Sequence, residues 1–514
     1  MGYTIPLNIC VTYGFINFCT SLIHNIFIVY HVQVFVSSFG LSRFSFWLSE
    51  LLFLIWNSLN DTLFGYLIDK RLLGGKVTDR AIAFRRARTI SYCGPFLAFT
   101  FLSTWFPHWL PGFPGLRFVT VLCSYDTVIT LLDLMKGALL ADLAVSQNDR
   151  SRLGSSASIG QALSAIGLVV ISWWFDNGTD AYLFENPFNN IKSDPNIHSL
   201  SYEFQALALF VAMFSAAGLF FSGRWLAKMT LRRSVQSPMY FIVTLIAISS
   251  PSSQKPSSAL AMKVYSARYL VRSLVCICKL VNPTYLSLSL TVMISLFRGI
   301  SFVLPHINNI FLLKASETYG TYVVIRGLFY AKVVLGVILL FSDPSNIVIL
   351  SLFLASNRIF TEGICKLLSQ VISDLVDEDL VLSRRSQPVS ALIFGATSLL
   401  GRPGQSFAPL VGYALLSFLT RSSEKPEVSA STESLRGACF ILAWSLVIFV
   451  GLSQLAIWSR FGLHGDYLAR IKKARINIMD QHSSPSQYVL SPPNQSLVYS
   501  TGGPFVPASR VIWI

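Results

Sequence analysis

Charge is scarce in this sequence: Asp, Glu, Lys and Arg make up 13% of its 514 residues, where a soluble chain carries about a quarter. With 53% of residues apolar and a mean hydropathy of +0.56, a set of soluble domains is excluded. Alternating strand-like segments of about ten residues are missing too, which excludes an outer-membrane barrel. There is no zinc spacing, no RNA- or DNA-binding module and no basic helix with interleaved aromatics, so the net charge of +15 does not signify nucleic acid. The eight cysteines lie mostly in apolar blocks, where they act as small hydrophobes, and Cys276-Ile-Cys278 has no second pair or His partner; no disulfide or metal framework is implied. No nucleophile–base set supports an enzyme, and no cofactor is expected. The N-terminus has no charged n-region, so the first apolar block is expected to stay as an uncleaved anchor.

The apolar residues themselves come in helix-length blocks, and the expected fold class is an all-α, multi-pass membrane protein. Eleven spans are clear, at 11–35, 46–68, 89–106, 116–141, 155–175, 204–226, 286–313, 321–341, 347–372, 389–419 and 438–458. Charge then sets the orientation. The loop after the second block carries Lys70, Arg71, Lys76, Arg80, Arg85, Arg86 and Arg88, and the tail carries Arg460, Arg470, Lys472, Lys473 and Arg475. Both termini are therefore expected in the cytoplasm, in the plasma membrane. The loop after the fifth block is acidic and holds the sequon Asn177-Gly178-Thr179, so Asn177 is a glycan candidate on the outside. Two cytoplasmic ends need an even number of crossings, which places a poorly written seventh span between residues 238 and 282. Asp142-Leu143 and Asp374-Leu375 recur at an offset of 232 residues, as do Arg152 and Arg384, which suggests duplicated halves. The expected division is a six-helix half at 1–227, a linker at 228–268, a second half at 269–461 and a largely disordered tail at 462–514.

Ionisable groups inside a span cost about 2.5 to 3.5 kcal/mol each and need a partner or a watery cavity. In the second block Asn57 and Asp61 share a face with Asn60 beside them, and in the fourth Asp126, Thr130, Asp133 and Lys136 follow spacings of one helical turn. Carboxylates from two helices could bind Na⁺, a proton or a solute hydroxyl; equally, Lys136 could simply neutralise Asp133. The ninth clear block carries Arg358, Glu362, Lys366, Gln370 and Asp374 at intervals of four, a pattern that fits an ion-pair ladder along one helix, with Arg358 and Glu362 deep enough to line a pathway. Because a histidine's ordinary range lies near neutral pH, His306 is a candidate for proton coupling, or a packing residue beside Pro305.

The run Asn57-Ser-Leu-Asn60-Asp61-Thr62-Leu-Phe-Gly65, closed by Asp69 and a basic loop, resembles the second-helix motif of the glycoside–pentoside–hexuronide:cation symporter branch of the major facilitator superfamily. Thr130-Leu-Leu-Asp133 and Ala141-Asp142-Leu143 extend the likeness, and ASNRIFTEG, DLVDEDLVL and PGQSFAPL resemble a vertebrate branch of the same superfamily. The resemblance implies two six-helix halves that rock about a central cavity. It puts the coupling-ion residues at Asn57, Asn60, Asp61, Thr130 and Asp133, and the substrate pathway at Asn17, Arg358, Glu362, Arg402 and His306. Gly65, Asp69, Asp142 and Asp374 would form the cytoplasmic gate. Asn57 stands where those symporters have an acid and Asn17 near another, so H⁺ is expected ahead of Na⁺ as coupling ion. The expected function is symport of a small, carbohydrate-like solute across the lipid bilayer, with a non-transporting receptor or scaffold as the rival class.

The outward position of the acidic loop is directly testable. Endoglycosidase is expected to increase the gel mobility of protein made in secretory cells, and Asn177→Gln to abolish that shift; an unshifted wild type would contradict the orientation.

Overall fold

A computed structural model describes residues 5–37, 41–72, 79–106, 113–144, 146–176, 202–232, 287–343, 346–385, 387–401, 415 and 428–483. These residues fold into helices throughout: α1 (Leu7–Ser37), α2 (Arg43–Leu72), α3 (Asp79–Trp105), α4 (Pro114–Leu143), α5 (Gln147–Asp176), α6 (Tyr202–Arg232), α7 (Ser287–Tyr319), α8 (Thr321–Leu340), α9 (Ile347–Leu382), α10 (Ser390–Gly401), α11 (Val428–Trp458) and α12 (Gly465–Ser483). Seven of them, α1, α2, α4, α5, α6, α8 and α11, are long and apolar enough to cross a membrane. The expected span at 238–282, the Asn177 sequon and Arg402 lie outside the described residues.

Local chemistry sets several boundaries. Pro114 opens α4, where its missing N–H costs nothing. Asn346 caps α9 by accepting from the Ile349 N–H at 3.2 Å. A single residue, Gly320 at φ +82°, reverses the chain between α7 and α8, a backbone region open mainly to glycine.

Several helices run past the apolar blocks. α3 begins at Asp79 and α5 at Gln147, so basic residues expected in loops are helical. The expected disordered tail likewise begins with an ordered helix: α12 is docked through Ile471 and the half-buried Tyr467 and Leu468, because its apolar face meets a core built by Trp458, Phe461 and Leu463. The apolar core is split in two. One cluster belongs to α1–α6 and is joined by Ala391 and Phe394 of α10; the other unites α7, α8, α9, the end of α11 and its following turn.

Small residues let the helices approach within each group. A Cβ at Gly160 of α5 would land on the Gly14 carbonyl of α1, and one at Gly223 of α6 would lie 2.7 Å from the Ser91 N of α3. Outside, Phe96, Phe99, Phe210 and Phe221 are exposed, as lipid-facing surface is.

Gly160→Leu would force α1 from α5. It is expected to cost at least about 1–3 kcal/mol, the penalty of overpacking, seen as a lowered unfolding midpoint in detergent; Gly462→Ala, with open space around its Cβ, is the matched control.

Candidate functional site

Two helix faces meet where α2 packs on α4. Asn57, Asn60 and Asp61 are 7%, 1% and 2% exposed, and Asp126 and Thr130 from α4 are 7% and 1% exposed. The Asn60 Nδ2 donates to the Asp126 Oδ2 at 2.5 Å, and one level along, the Trp56 indole N–H donates to Thr127 at 3.2 Å. Among the described residues the Asn57 Oδ1, the Asn60 Oδ1 and the Thr130 Oγ1 are buried without a hydrogen-bond partner. The α4 carboxylate in this group is thus Asp126, where the sequence pointed to Asp133. The Asp133 side chain is 60% exposed and pairs with the Lys136 Nζ at 2.7 Å. Positions 126 and 133 differ by only about 20° around the helix but by about 10 Å along it, and Asp133 is taken up by Lys136 of its own helix.

The expected pathway residues are dispersed. Asn17 is buried but its Nδ2 donates within α1, to the Tyr13 carbonyl at 2.8 Å. The Arg358 guanidinium lies over the Phe302 ring at 4.2 Å, and Glu362 and His306 are half-buried. Three residues of the row expected along α9 also reach other helices. Lys366 reaches the Gln161 Oε1 of α5 at 3.4 Å, Gln370 accepts from Gln147 at 2.9 Å, and Asp374 accepts from Arg150.

The expected gate residues do gather, at the end of the bundle that carries the basic residues. Arg86 of α3, with no solvent exposure, sits between Asp69 of α2 (Nη2 to Oδ1, 3.0 Å) and Asp142 of α4 (Nε to Oδ2, 2.7 Å). The remaining carboxylate oxygens cross to the start of α10: the Leu392 N–H donates to Asp69 at 2.8 Å and the Ser390 hydroxyl to Asp142 at 2.6 Å. An anion at a helix N-terminus satisfies amides that have no intrahelical partner. One turn inward, α2 and α10 touch backbone to backbone: a Cβ at Gly65 would meet the Ala391 carbonyl and one at Gly395 the Asp61 carbonyl.

Across the bundle stands a second cluster. Arg150 of α5, also without solvent exposure, binds Asp374 and, at 2.5 Å, Asp377 of α9, while its Nε donates to the Ala144 carbonyl at 2.7 Å. From α12, Lys472 joins Asp374 at 3.1 Å and the Gln147 Oε1 at 3.3 Å, and Arg475 faces Asp377 at 3.6 Å. Tyr467 donates to Glu378 at 2.8 Å. Its hydroxyl is pushed up to about 12 by burial and by the hydrogen bond and charge of Glu378, so it remains a donor. Asp126 stood on the polar face read from the sequence, whereas the spacing of Arg150, Asp377, Lys472 and Arg475 gave no sign of a site. Arg150 precedes an apolar block, and nothing in its spacing shows that it is buried.

No protein-family model matches the chain. It is 35% identical over 502 residues to transmembrane protein 180 of Gallus gallus, covering 91% of this chain and 95% of that one, and 35% identical over 536 residues to transmembrane protein 180 of Mus musculus, covering 94% and 98%. In structure it is similar to a bacterial homologue of the iron transporter ferroportin in an outward-facing state, with a TM-score of 0.52 and 13% identity over 89% of this chain and 100% of that one.

Removing Arg150 strands two buried carboxylates. Arg150→Gln is expected to destabilise by about 3–5 kcal/mol, the cost of breaking a buried pair. Adding Asp374→Asn and Asp377→Asn should recover part of the loss. A melting curve unchanged by Arg150→Gln would sink this account.

Proposed function

The chain belongs to the transmembrane protein 180 family and has the major facilitator fold, and on that premise we propose that it is a secondary transporter of a small, carbohydrate-like organic solute, coupled to a cation. The observation that carries the coupling is the buried oxygen set between α2 and α4: two carboxylates, Asp61 and Asp126, and three acceptors without a donor. A buried acceptor without a partner costs about 1–3 kcal/mol. A cation removes that cost, either as a proton that turns one carboxyl into an O–H donor or as Na⁺ ligated by the oxygens. H⁺ is placed ahead of Na⁺ because Asn57 brings no charge.

The two arginine clusters supply the gate. Each links α1–α6 to helices after α7, and the basic residues around them favour the cytoplasm. Ion pairs and amide contacts between two separately packed cores can part without either core being opened. Gly65 lets the backbones close, Asp69 and Asp142 hold α10, and Asp374 holds Arg150. That is the requirement of alternating access by rocking.

Reconstituted vesicles test the reading. Uptake driven by an imposed pH gradient is expected to fall at least about tenfold in Asp61→Asn and Asp126→Asn, from the removal of a charged ligand, while Asp133→Asn keeps the ratio of driven to undriven uptake. Equal ratios in all four proteins would refute the coupling site, and stimulation by Na⁺ alone would identify the other ion.

A further inference from the structure

Arg86 and Arg88 leave α3 on opposite sides. Arg86 is buried in the gate, whereas Arg88 is exposed on the outer face, where α3 packs on α6. The contact between these antiparallel helices is close: a Cβ at Gly223 would lie 2.7 Å from the Ser91 N and 2.9 Å from the Ala87 carbonyl oxygen. That approach puts the residues that follow, Arg88 and Tyr92 on α3 and Arg224 on α6, at one level and on one side of the seam. The Arg88 Nε and Nη2 donate to the Tyr92 hydroxyl at 3.2 and 3.1 Å, and Arg224 acts on the same hydroxyl from across the seam. The Arg224 guanidinium lies over the Phe220 ring, 4.3 Å from its centre, and the exposed Lys228 follows one turn later. Along the same face Phe96, Phe99, Phe221 and Trp225 are exposed, so the seam looks out on lipid.

A lone arginine at a membrane surface extends toward water. These two instead turn to aromatic residues one turn nearer the middle of their helices. Among the described residues neither meets a carboxylate. The acids of α3 and α6 are Asp79, at the start of α3, and Glu203, at the far end of α6. α1, which packs on both, has none, and Asp69 and Asp142 of α2 and α4 are committed to Arg86. Two guanidinium groups held side by side repel, and each keeps donors in the fork geometry that suits a phosphate. The Tyr92 oxygen accepts from Arg88, which leaves its own O–H to donate. We propose that the α3–α6 seam binds an anionic phospholipid of the adjoining leaflet, its phosphate between Arg88 and Arg224 with the Tyr92 O–H and Lys228 alongside, and its acyl chains along Phe96 and Phe221. Free phosphate offers the same oxygens but nothing to cover the exposed rings, and a zwitterionic lipid brings a cation that opposes the surplus positive charge. The lipid lies on the outside of the helix whose inside carries Arg86, apart from the coupling site.

Purified full-length protein in neutral detergent is titrated with dioctanoyl phosphatidylserine and phosphatidylglycerol, with dioctanoyl phosphatidylcholine, and with inorganic phosphate, all at constant ionic strength. The expected result is a saturable rise in melting temperature with an anionic lipid and little from phosphatidylcholine or phosphate. Arg88→Gln combined with Arg224→Gln should raise the half-saturating concentration at least about tenfold, as the loss of a charge-assisted contact does. Arg470→Gln combined with Lys473→Gln removes the same charge from the exposed face of α12 and should bind as wild type does. If the first pair does not fold, Arg224→Gln alone, which leaves the contact between Arg88 and Tyr92, should weaken binding in the same direction. The assignment is overturned if neither anionic lipid stabilises, or if phosphatidylcholine or phosphate does so equally. It is overturned too if the α12 pair weakens binding as much, or if the Arg88 and Arg224 variants bind as wild type does. None of these outcomes bears on the solute or its coupling ion, so this inference and the transport reading fail separately.

Discussion

A guanidinium without access to water has to be held by carboxylates, and here that constraint organises the whole molecule. Arg150 begins α5 in one helix group and is neutralised by Asp374 and Asp377, which end α9 in the other. Arg86 is buried in the same way, and the carboxylates that hold it also bind the start of α10, Asp69 through the Leu392 amide and Asp142 through the Ser390 hydroxyl. Each cluster therefore uses a helix start from one group against a helix end from the other. The recurrence of Asp142 and Asp374 in the sequence is the trace of that exchange.

What joins the groups adds buried charge to the contacts that build each one. Within α1–α6, glycine contacts and a continuous apolar core bring helices to backbone distance. Between the groups, α5 packs on α7 with Gly154 against Leu313, Ala391, Phe394, Phe302 and Ile372 pack on the α1–α6 core, and charge, amide and hydroxyl contacts are added to these. Apolar packing between helices gains little from lipid, so separation of the groups is opposed mainly by polar contacts that water can replace. α12 adds a further layer at the same end. Lys472 touches both Asp374 and Gln147, and so leans on both groups at once.

Much of this architecture was legible in the residues. Block lengths gave helices, and the aspartates at block ends marked the positions where arginines are bound. The spacing of Asn57, Asn60 and Asp61 marked a polar face that is buried against α4. For Asp133 the spacing left two readings open, a site or neutralisation by Lys136, and the ion pair with Lys136 is the one formed, while Asp126 meets Asn60 of the facing helix. Spacing of four permits pairing along α9, but Asp374 and Lys366 found partners on α5, where better geometry or proximity was on offer.

By itself, then, the sequence determined the solvent, the helical class and the repeat, because apolar run length and loop charge act locally and need no partner. Which carboxylate meets which cation was decided only by tertiary structure. A charge inside a membrane protein is tolerated for what lies within a few ångströms of it, and for Arg150 those atoms are more than 220 residues away along the chain.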